Sequence, residues 1–377
     1  MEFRIDSEWF SKAISDVSKA VSMKTPFPIL TGIKITAHQD SLMLIGSNSD
    51  LIIEKMIPLT IDGEKILEVN QTGSVVLTAK YLSEIVKKLP RGNMHVKADE
   101  KQMITLQSDE IVTSLNGFRS EEYPSLPEID ETNHVRISSS ELIDMIKQTA
   151  FAVAKNETRP ILTGVNLSFE GNRLTCAATN SHRLAVRELP IDSTIKGSFI
   201  VPSTSLNELI KLIHNKTDFI HIVVSESYMA FKSDTASLYS RLIEGNYPTV
   251  SGLLPKDAKT VITLDTKKLL KGIDRACLFA SEWKNNNVYV EIKDGTKIKI
   301  SSNSSEIGKI EETQPIKSID GEMELSISLD GNFLMDALRA IKEEEIRVSF
   351  GGSMKPVLIE PIGNSTCLHL ISPVRSY

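Results

Sequence analysis

The sequence predicts an α+β protein made of three tandem copies of one domain, each with two amphipathic helices packed on a β-sheet. The main observation is a repeat at an offset of 132 residues: PILTG at 28–32 returns at 160–164, and SNS at 47–49 returns as TNS at 179–181. A weaker third copy keeps only SNS, at 302–304. Solenoid repeats have periods of about 20–50 residues, so the longer period indicates a repeated domain. Three domains account for the 377 residues.

Each copy contains two segments with apolar residues at helical spacing. The first helices are predicted at 8–21, 140–154 and 265–280, and the second helices at 81–89, 205–213 and 333–341. Thr78 and Ser203 are predicted as N-caps of the second helices in copies one and two, because a short hydroxyl side chain can accept a hydrogen bond from a free helix N–H.

Short alternating segments between these helices predict strands. The strands are expected at 43–45, 52–57, 184–189, 221–224, 288–292 and 347–350, separated by Gly, Asn and Asp. The proline-containing segments 123–128 and 247–255 indicate linkers between copies. The predicted domains are therefore 1–126, 127–252 and 253–377.

The composition is typical of a soluble globular protein, with 41% hydrophobic and 24% charged residues. No apolar run approaches the roughly 18–20 residues of a membrane helix, and the N-terminus alternates like a strand rather than a signal peptide. Cys176, Cys277 and Cys367 lie far apart, which favours a reducing compartment and disfavours disulfides or structural zinc. We therefore expect a cytoplasmic protein without a membrane partner.

Charge is distributed unevenly along the chain. The six predicted helical segments with their flanking residues carry +7, whereas the whole chain carries −6, which leaves −13 for the rest. If the helices share one surface, that surface attracts phosphate groups while the remainder repels them. Lysine-rich helix faces that only provide solubility give the same pattern, so charge alone leaves both interpretations open.

The motifs of common enzymes are absent from the sequence. It contains no GxxxxGK[ST] phosphate loop, no GxSxG elbow and no HExxH metal motif. Only His182, beside Arg183, lies in a suggestive context, and a polar turn with Arg183 paired to a carboxylate explains that pair more simply. We predict no catalytic residue, no cofactor and no metal site, although a hydrolase on a repeated scaffold stays open at this point.

Four motifs, in order along the triplication, carry a resemblance to a known family. They are RPILTG at 159–164, ATNSHRLA at 178–185, EGNYP at 244–248 and PVR at 373–375. With them the chain resembles, over its full length, the bacterial sliding clamp, the β subunit of DNA polymerase III. The resemblance implies the DNA clamp fold: three-domain subunits in a head-to-tail homodimer, a six-domain ring whose helices face duplex DNA.

The resemblance also implies a function and partners. Such a ring holds double-stranded DNA independently of its sequence and tethers the replicative DNA polymerase, the clamp loader and repair proteins through short peptide motifs. The protein is then expected to be a nucleoid-associated processivity factor rather than an enzyme. Weak phosphate contacts suit this role, because topology rather than affinity keeps a ring on DNA.

Two sets of site residues follow from the resemblance, position by position. The family's peptide pocket, an apolar groove with polar rims between copies two and three, is expected to be lined by Leu162, Thr179, His182, Arg183, Leu184, Pro248, Leu253, Leu370, Ser372 and Pro373. The residues expected to face DNA are Lys24, Lys80, Lys147, Asn156, Arg159 and Lys211.

The chain departs from the family pattern at Ser372, where an apolar residue usually precedes the final Pro-Val-Arg. A hydroxyl there makes that corner of the pocket smaller and more polar, which removes about 1–2 kcal/mol of apolar contact. The alternative function is therefore a specialised or duplicated clamp that acts as a scaffold with weakened pocket affinity.

Overall fold

The computed structural model describes residues 1–156, 158–213, 218–255, 257–280 and 286–374. Arg375 of the PVR motif lies outside these residues. Within them the chain forms six α-helices and 28 strands. None of the described helices combines the length and the hydropathy that a membrane span requires.

The helices are α1 (Ser7–Ser18), α2 (Ala79–Val86), α3 (Ser139–Thr149), α4 (Ser203–Leu212), α5 (Thr266–Ala280) and α6 (Gly331–Ala340). The strands of the first third are β1 (Glu2–Asp6), β2 (Gly32–Ala37), β3 (Ser41–Ser47), β4 (Leu51–Pro58), β5 (Thr60–Ile61), β6 (Glu64–Lys65), β7 (Leu67–Gln71), β8 (Gly73–Thr78), β9 (Asn93–Ala98), β10 (Met103–Ser108) and β11 (Ile111–Asn116). Those of the middle third are β12 (His134–Ser138), β13 (Gly164–Glu170), β14 (Arg173–Thr179), β15 (Arg183–Pro190), β16 (Gly197–Pro202), β17 (Phe219–Val224), β18 (Tyr228–Lys232) and β19 (Ala236–Arg241). The last third contributes β20 (Thr260–Asp265), β21 (Asn287–Ile292), β22 (Lys297–Ser304), β23 (Gly308–Pro315), β24 (Ser318–Gly321), β25 (Leu325–Asp330), β26 (Glu345–Phe350), β27 (Val357–Pro361) and β28 (Cys367–Ile371).

The chain forms two compact units. The first comprises residues 1–139 and 208–242. It contains a five-stranded sheet, β11-β10-β9-β1-β7, and an eight-stranded sheet, β12-β17-β18-β19-β4-β3-β2-β8. Helix α1 packs on β3 and β4 and beside α2, and buries Phe10, Ile14 and Val17. The antiparallel β4–β19 pair joins copy one to copy two and is called here the first seam.

The second unit comprises residues 140–207 and 243–377. It contains a nine-stranded sheet, β16-β13-β14-β15-β28-β27-β26-β20-β24, and a four-stranded sheet, β23-β22-β21-β25. Helices α5 and α6 pack together over the four-stranded sheet. The antiparallel β15–β28 pair joins copy two to copy three and is called here the second seam.

The repeated motifs are structural anchors of each copy. Pro28–Thr31 and Pro160–Thr163 each form a short 3-10 turn that ends at a glycine. The hydroxyl of Tyr123 lies 3.5 Å from the Gly32 carbonyl oxygen, and that of Tyr247 lies 3.5 Å from the Gly164 carbonyl oxygen. The two sequence markers of each copy therefore meet in space, which explains why they recur together.

The triplet at the end of β3 and of β14 builds the same turn twice. Asn48 Oδ1 accepts hydrogen bonds from the backbone N–H groups two and three residues ahead, and Asn180 Oδ1 does the same. Ser49 and Ser181 adopt positive φ angles of 80° and 76°. In copy three Ser304 accepts both bonds, so the predicted match of 302–304 is displaced by one residue.

All six predicted helices are present, but two details of the prediction are wrong. Ser203 is the first residue of α4 rather than its N-cap. Thr78 precedes α2, yet its side chain accepts no capping hydrogen bond from the described residues. Three strands instead end in an aspartate that accepts hydrogen bonds from the first turn of the following helix: Asp6, Asp265 and Asp330.

The observed helices are less basic than predicted because they are shorter. They carry +1 in total, and α5 alone carries +3. The rest of the positive charge that was predicted for the helices lies in the segments that flank them, for example at Lys87, Lys88 and Arg91 after α2. Any basic surface therefore depends on α5 and on these flanking segments.

Replacing Asp6 with Ala should lower the free energy of unfolding by about 1 kcal/mol, because two N–H groups of α1 lose their acceptor. These are Glu8 N at 2.9 Å and Trp9 N at 3.2 Å from Asp6 Oδ1. Calorimetric unfolding measures the effect, and Thr78→Ala is the matched control. Equal destabilisation by both variants would show that the aspartate does not act as a cap.

Candidate functional site

A row of apolar side chains crosses the second seam on one face of the nine-stranded sheet. Leu184 of β15 lies opposite Leu370 of β28, and Leu370 lies opposite Leu358 of β27. Thr179 of β14 continues the row on the other side of Leu184. Because residues directly opposite in antiparallel strands share a face, these four side chains point to the same side of the sheet.

A second row runs parallel to the first. It contains Ala177, Val186 and Leu368, which are also direct cross-strand partners. The linker after Tyr247 packs on both rows through the half-buried Val250 and Leu254, while Leu253 of the same linker is 44% exposed. The result is an apolar platform with an apolar side chain free at its border, which suits a short extended peptide that inserts one or two large side chains.

The first seam has the equivalent row with different side chains. Its members in strand order are Ser47, Ile52, Tyr239, Ala230 and Val223. Tyr239 takes the position of Leu370 and packs with Leu126 and Ile129 of the first linker. Tyr239 and Leu370 are each 7% exposed, so the two seams differ here in the size and polarity of the side chain.

Arg183 does not stand at the rim of this platform, and its predicted position is wrong. It precedes Leu184 in β15, so its side chain lies on the opposite face of the sheet. There its Nη1 donates to Asp336 Oδ2 at 2.7 Å, its Nη2 donates to the Phe151 carbonyl, and its guanidinium lies 4.5 Å from the Phe333 ring centroid. The side chain is 6% exposed, so Arg183 connects copies two and three inside the protein.

The exposed His182 and the half-buried Ser372 lie together at one end of the platform. Ser372 N donates to the His182 carbonyl at 2.8 Å, and Thr179 Oγ1 donates to the Arg183 carbonyl at 2.6 Å. Pro373 pairs with Leu329 in an isolated bridge. The C-terminal segment is therefore held both by the turn before β15, through His182, and by β25, through Leu329.

Two other predicted residues lie in supporting positions. Leu162 is 4% exposed in the turn Pro160–Thr163 and is not a member of the apolar cluster among the described residues. Pro248 is half-buried and follows Tyr247, whose hydroxyl oxygen accepts a hydrogen bond from Thr179 N at 2.9 Å. Burial raises the pKa of Tyr247, so the hydroxyl stays neutral and anchors this loop.

The prediction omitted six cluster members: Ala177, Val186, Val250, Leu254, Leu358 and Leu368. The alternation of apolar residues along β15 and β28 could have identified Val186 and Leu368. The pairing of β28 with β27, which brings in Leu358, is not written in any local pattern.

The six residues predicted to face DNA are all exposed: Lys24, Lys80, Lys147, Asn156, Arg159 and Lys211. Lys211 Nζ lies 2.8 Å from Glu208 Oε1, and Lys80 Nζ lies 5.9 Å from the Tyr81 ring centroid. Their exposure makes contact with DNA possible, and the contact stays a prediction. No group of three or more His, Cys, Asp or Glu side chains among the described residues is arranged to hold a metal ion.

Family models for the N-terminal, central and C-terminal domains of the DNA polymerase III beta subunit match residues 1–127, 136–249 and 251–375. The chain belongs to this family. It is 43% identical over 379 residues to the beta sliding clamp of Bacillus subtilis strain 168 and 38% identical over 378 residues to that of Staphylococcus aureus strain Mu50, with 100% of each chain covered. Its fold matches the crystal structure of the Bacillus subtilis sliding clamp with a TM-score of 0.96 at 42% identity, and that of the Streptococcus pyogenes beta subunit with 0.94 at 31%, both over the full length of each chain.

These findings confirm three predictions made from the sequence: three tandem DNA clamp domains, a sliding clamp, and a processivity factor rather than an enzyme. The exact boundaries after residues 126 and 252 stay a prediction. The residues that contact peptide or DNA are likewise predicted rather than observed.

The free energy of unfolding should decrease as the pH falls from about 6.5 to 4, because of His369 in the second seam. His369, next to Leu370 on β28, is 1% exposed, and its ring centroid lies 5.7 Å from that of Phe151. Burial, with the nearby charge of Arg183, lowers the pKa of His369 from 6.5 to about 4. Between these values the unfolded chain binds a proton that the folded chain does not, so stability present above pH 6.5 is lost on acidification.

The expected loss from His369 is about 3 kcal/mol, since each pKa unit corresponds to about 1.4 kcal/mol. Urea unfolding of the parent and of His369→Gln at pH 7.5 and pH 4.5 measures it. The variant should show a flatter pH dependence, and its offset at pH 7.5 reports the change in packing alone. The same slope in both proteins would exclude His369 as the source.

Proposed function

We propose that this protein is a homodimeric sliding clamp that encircles duplex DNA and tethers the replicative polymerase, the clamp loader and repair proteins through short peptide motifs. The observation that supports this most strongly is the match of all three domains to the DNA polymerase III beta subunit, together with the apolar row that crosses the second seam. Location in the cytoplasm, at the nucleoid, belongs to the same proposal.

The proposed peptide site is the platform of the second seam. Leu184, Leu370 and Leu358 form its floor, Leu253 its exposed border, and His182 and Ser372 its polar end. Burying apolar area from a peptide on this floor contributes about 25 cal/mol per Å² before ordering costs. A peptide from a disordered tail fits because it brings its own anchors and can be exchanged between partners.

The proposed dimer follows from strand order. Each seam pairs equivalent strands of two neighbouring copies: β4 of copy one with β19 of copy two, and β15 of copy two with β28 of copy three. The equivalent strands β23 of copy three and β11 of copy one have no seam partner among the described residues, and each is an edge strand of its sheet. Pairing β23 of one protomer with β11 of its partner makes a third kind of seam, and two such pairings close six domains into a ring.

The proposed DNA contacts are weak and independent of sequence. Lys24, Lys80, Lys147, Asn156, Arg159 and Lys211 are exposed side chains that can reach phosphates without reading bases. Removing one contact changes the salt dependence by about one unit, so single variants should have small effects. Retention then depends on ring closure.

The alternative of a specialised clamp with weakened affinity has less support. Ser372 supplies its backbone N–H to the second seam, a contact that any non-proline residue can make. Full-length identity of 43% with a beta sliding clamp favours the ordinary function.

Replacing Leu370 with Tyr should close the proposed peptide site, because it introduces the larger side chain that the first seam has at the equivalent position, Tyr239. A tyrosine at this position occupies the volume needed by a guest anchor, so the affinity for a polymerase-tail peptide should fall at least tenfold, or about 1.4 kcal/mol. Calorimetric titration with the peptide measures it.

Leu358→Ile is the matched control, since it keeps the volume and the apolar character of a neighbouring floor residue. Sizing chromatography and thermal unfolding check that both variants fold and stay dimeric. If Leu370→Tyr binds the peptide as the parent does, the peptide site lies elsewhere.

Replacing Val112 with Lys should open the ring. Val112 is 60% exposed on the edge strand β11, and a charge on an edge strand opposes pairing with another sheet. Sedimentation should show a shift from a dimer to a monomer of 41.8 kDa, together with loss of retention on closed circular DNA after loading.

Met354→Lys serves as the control, because Met354 is equally exposed but lies in a turn outside both edge strands. Linearised DNA should release the parent and the control alike. A Val112→Lys variant that remains dimeric and retained on circles would contradict the proposed pairing of β11.

A further inference from the structure

The first unit contains a cavity of about 740 Å³ beside α1, at the end of the first seam opposite the turn of Asn48. This volume is within the usual range for small-molecule sites, about 300–1,000 Å³. Its wall includes two aromatic residues, Trp9 and Phe219, and three cationic ones, Lys12, Lys55 and Arg136.

Each aromatic ring of this cavity has a cation beside it. Lys12 Nζ lies 5.4 Å from the Trp9 ring centroid, and Arg136 Cζ lies 3.8 Å from the Phe219 ring centroid. A flat aromatic group can stack on such a ring or on the guanidinium plane while an attached anion contacts the cation. The cavity therefore offers both kinds of contact within one space.

Lys55 is a half-buried cation of the wall, and no carboxylate of the described residues forms a salt bridge with it. Its only hydrogen bond among the described residues is a long one, 3.4 Å, from Nζ to Thr235 Oγ1. Burial lowers the pKa of Lys55, and Lys12 and Lys19 lower it further, against a partial offset from Asp16. A bound anion would relieve this unfavourable charge.

The second unit has different charged groups at the positions equivalent to Lys55 and Lys12. Arg187, at the offset of 132 from Lys55, donates to Asn364 Oδ1 at 2.6 Å and to Thr366 Oγ1. Asp144, at the same offset from Lys12, pairs with Lys342 at 2.6 Å. The first unit replaces this acid by Lys12, so two cations face the space that an ion pair and an arginine network occupy in the second unit.

Three acidic residues, Asp62, Asp218 and Asp234, and His221 also line the cavity. All four are exposed, so solvent screens their charges at the mouth, whereas Lys55 lies deeper. The acids weaken but do not cancel the attraction for an anion at Lys55.

We propose that this cavity binds a nucleotide, with its base on Trp9 or Phe219 and its phosphates on Lys55 and Lys12. The nucleotide is either a free one or the terminal nucleotide of a DNA strand, since both present an aromatic base and a phosphate. The site is distinct from the peptide platform, which lies in the second unit.

ADP, inorganic pyrophosphate, adenosine and a 5′-phosphorylated tetranucleotide are the probes. Trp283→Phe leaves Trp9 as the sole tryptophan, so its fluorescence reports binding while thermal unfolding gives an independent readout. ADP should change Trp9 fluorescence saturably and raise the unfolding temperature, and pyrophosphate or adenosine alone should bind at least tenfold more weakly. Binding of the tetranucleotide but not of ADP assigns the site to a strand end.

Lys55→Met is the decisive variant, because it keeps the apolar stem and removes the charge. It should lower the affinity for the bound probe at least tenfold and abolish the ligand-induced rise in unfolding temperature, while it stays dimeric and retained on circular DNA. Lys97→Met, outside the cavity, should bind as the parent does. No binding by any probe, or equal binding by Lys55→Met, would overturn the proposal without touching the proposed clamp function.

Discussion

Strand pairing at the seams is the interaction on which the rest of this structure depends. At each seam the backbone ladder continues from one copy into the next, so side chains from two domains share one register and one face. In the second seam this register brings Leu184 of copy two against Leu370 of copy three. The ladder also positions Arg183 on the opposite face, where Asp336 and Phe151 hold it. A slip of one residue would exchange the two faces and place a buried arginine on the platform.

The two seams share their backbone rows and differ in their side chains. At one position the side chains are Tyr239 and Leu370, which differ in size and polarity. At the far end of the same seams, Arg187 donates hydrogen bonds to Asn364 and Thr366 in the second unit, whereas Lys55 lines a cavity in the first. The repeated strands therefore carry different side chains at both ends of the two seams.

The sequence predicted the repeated architecture well because repetition, helical periodicity and strand alternation are local or periodic signals. It located Leu184 and Leu370 correctly on one apolar cluster through the family resemblance. It placed Arg183 wrongly because motif matching carries no information about which face of a strand a side chain occupies. Leu358 was missed because its place on the platform depends on the pairing of β27 with β28. The cavity at Lys55 was missed because its wall brings together residues more than 100 positions apart, such as Lys55 and Thr235. The aspartate caps were missed because Asp6, Asp265 and Asp330 end strands, and the hydroxyl residues seemed the better candidates.

The two unmatched edges, β11 and β23, have a consequence for the geometry of assembly. The two edges are different surfaces. A protomer that pairs through one edge still exposes its other edge, so further protomers can add without limit. The product is a closed ring only if the rotations at successive seams sum to a full turn, and otherwise it is an open filament. The twist between neighbouring domains is therefore as constrained as the contacts themselves. A substitution that alters strand twist at β4–β19 or β15–β28 leaves the contacts of both edges in place, so it would change the shape of the polymer rather than the strength of pairing at the edges.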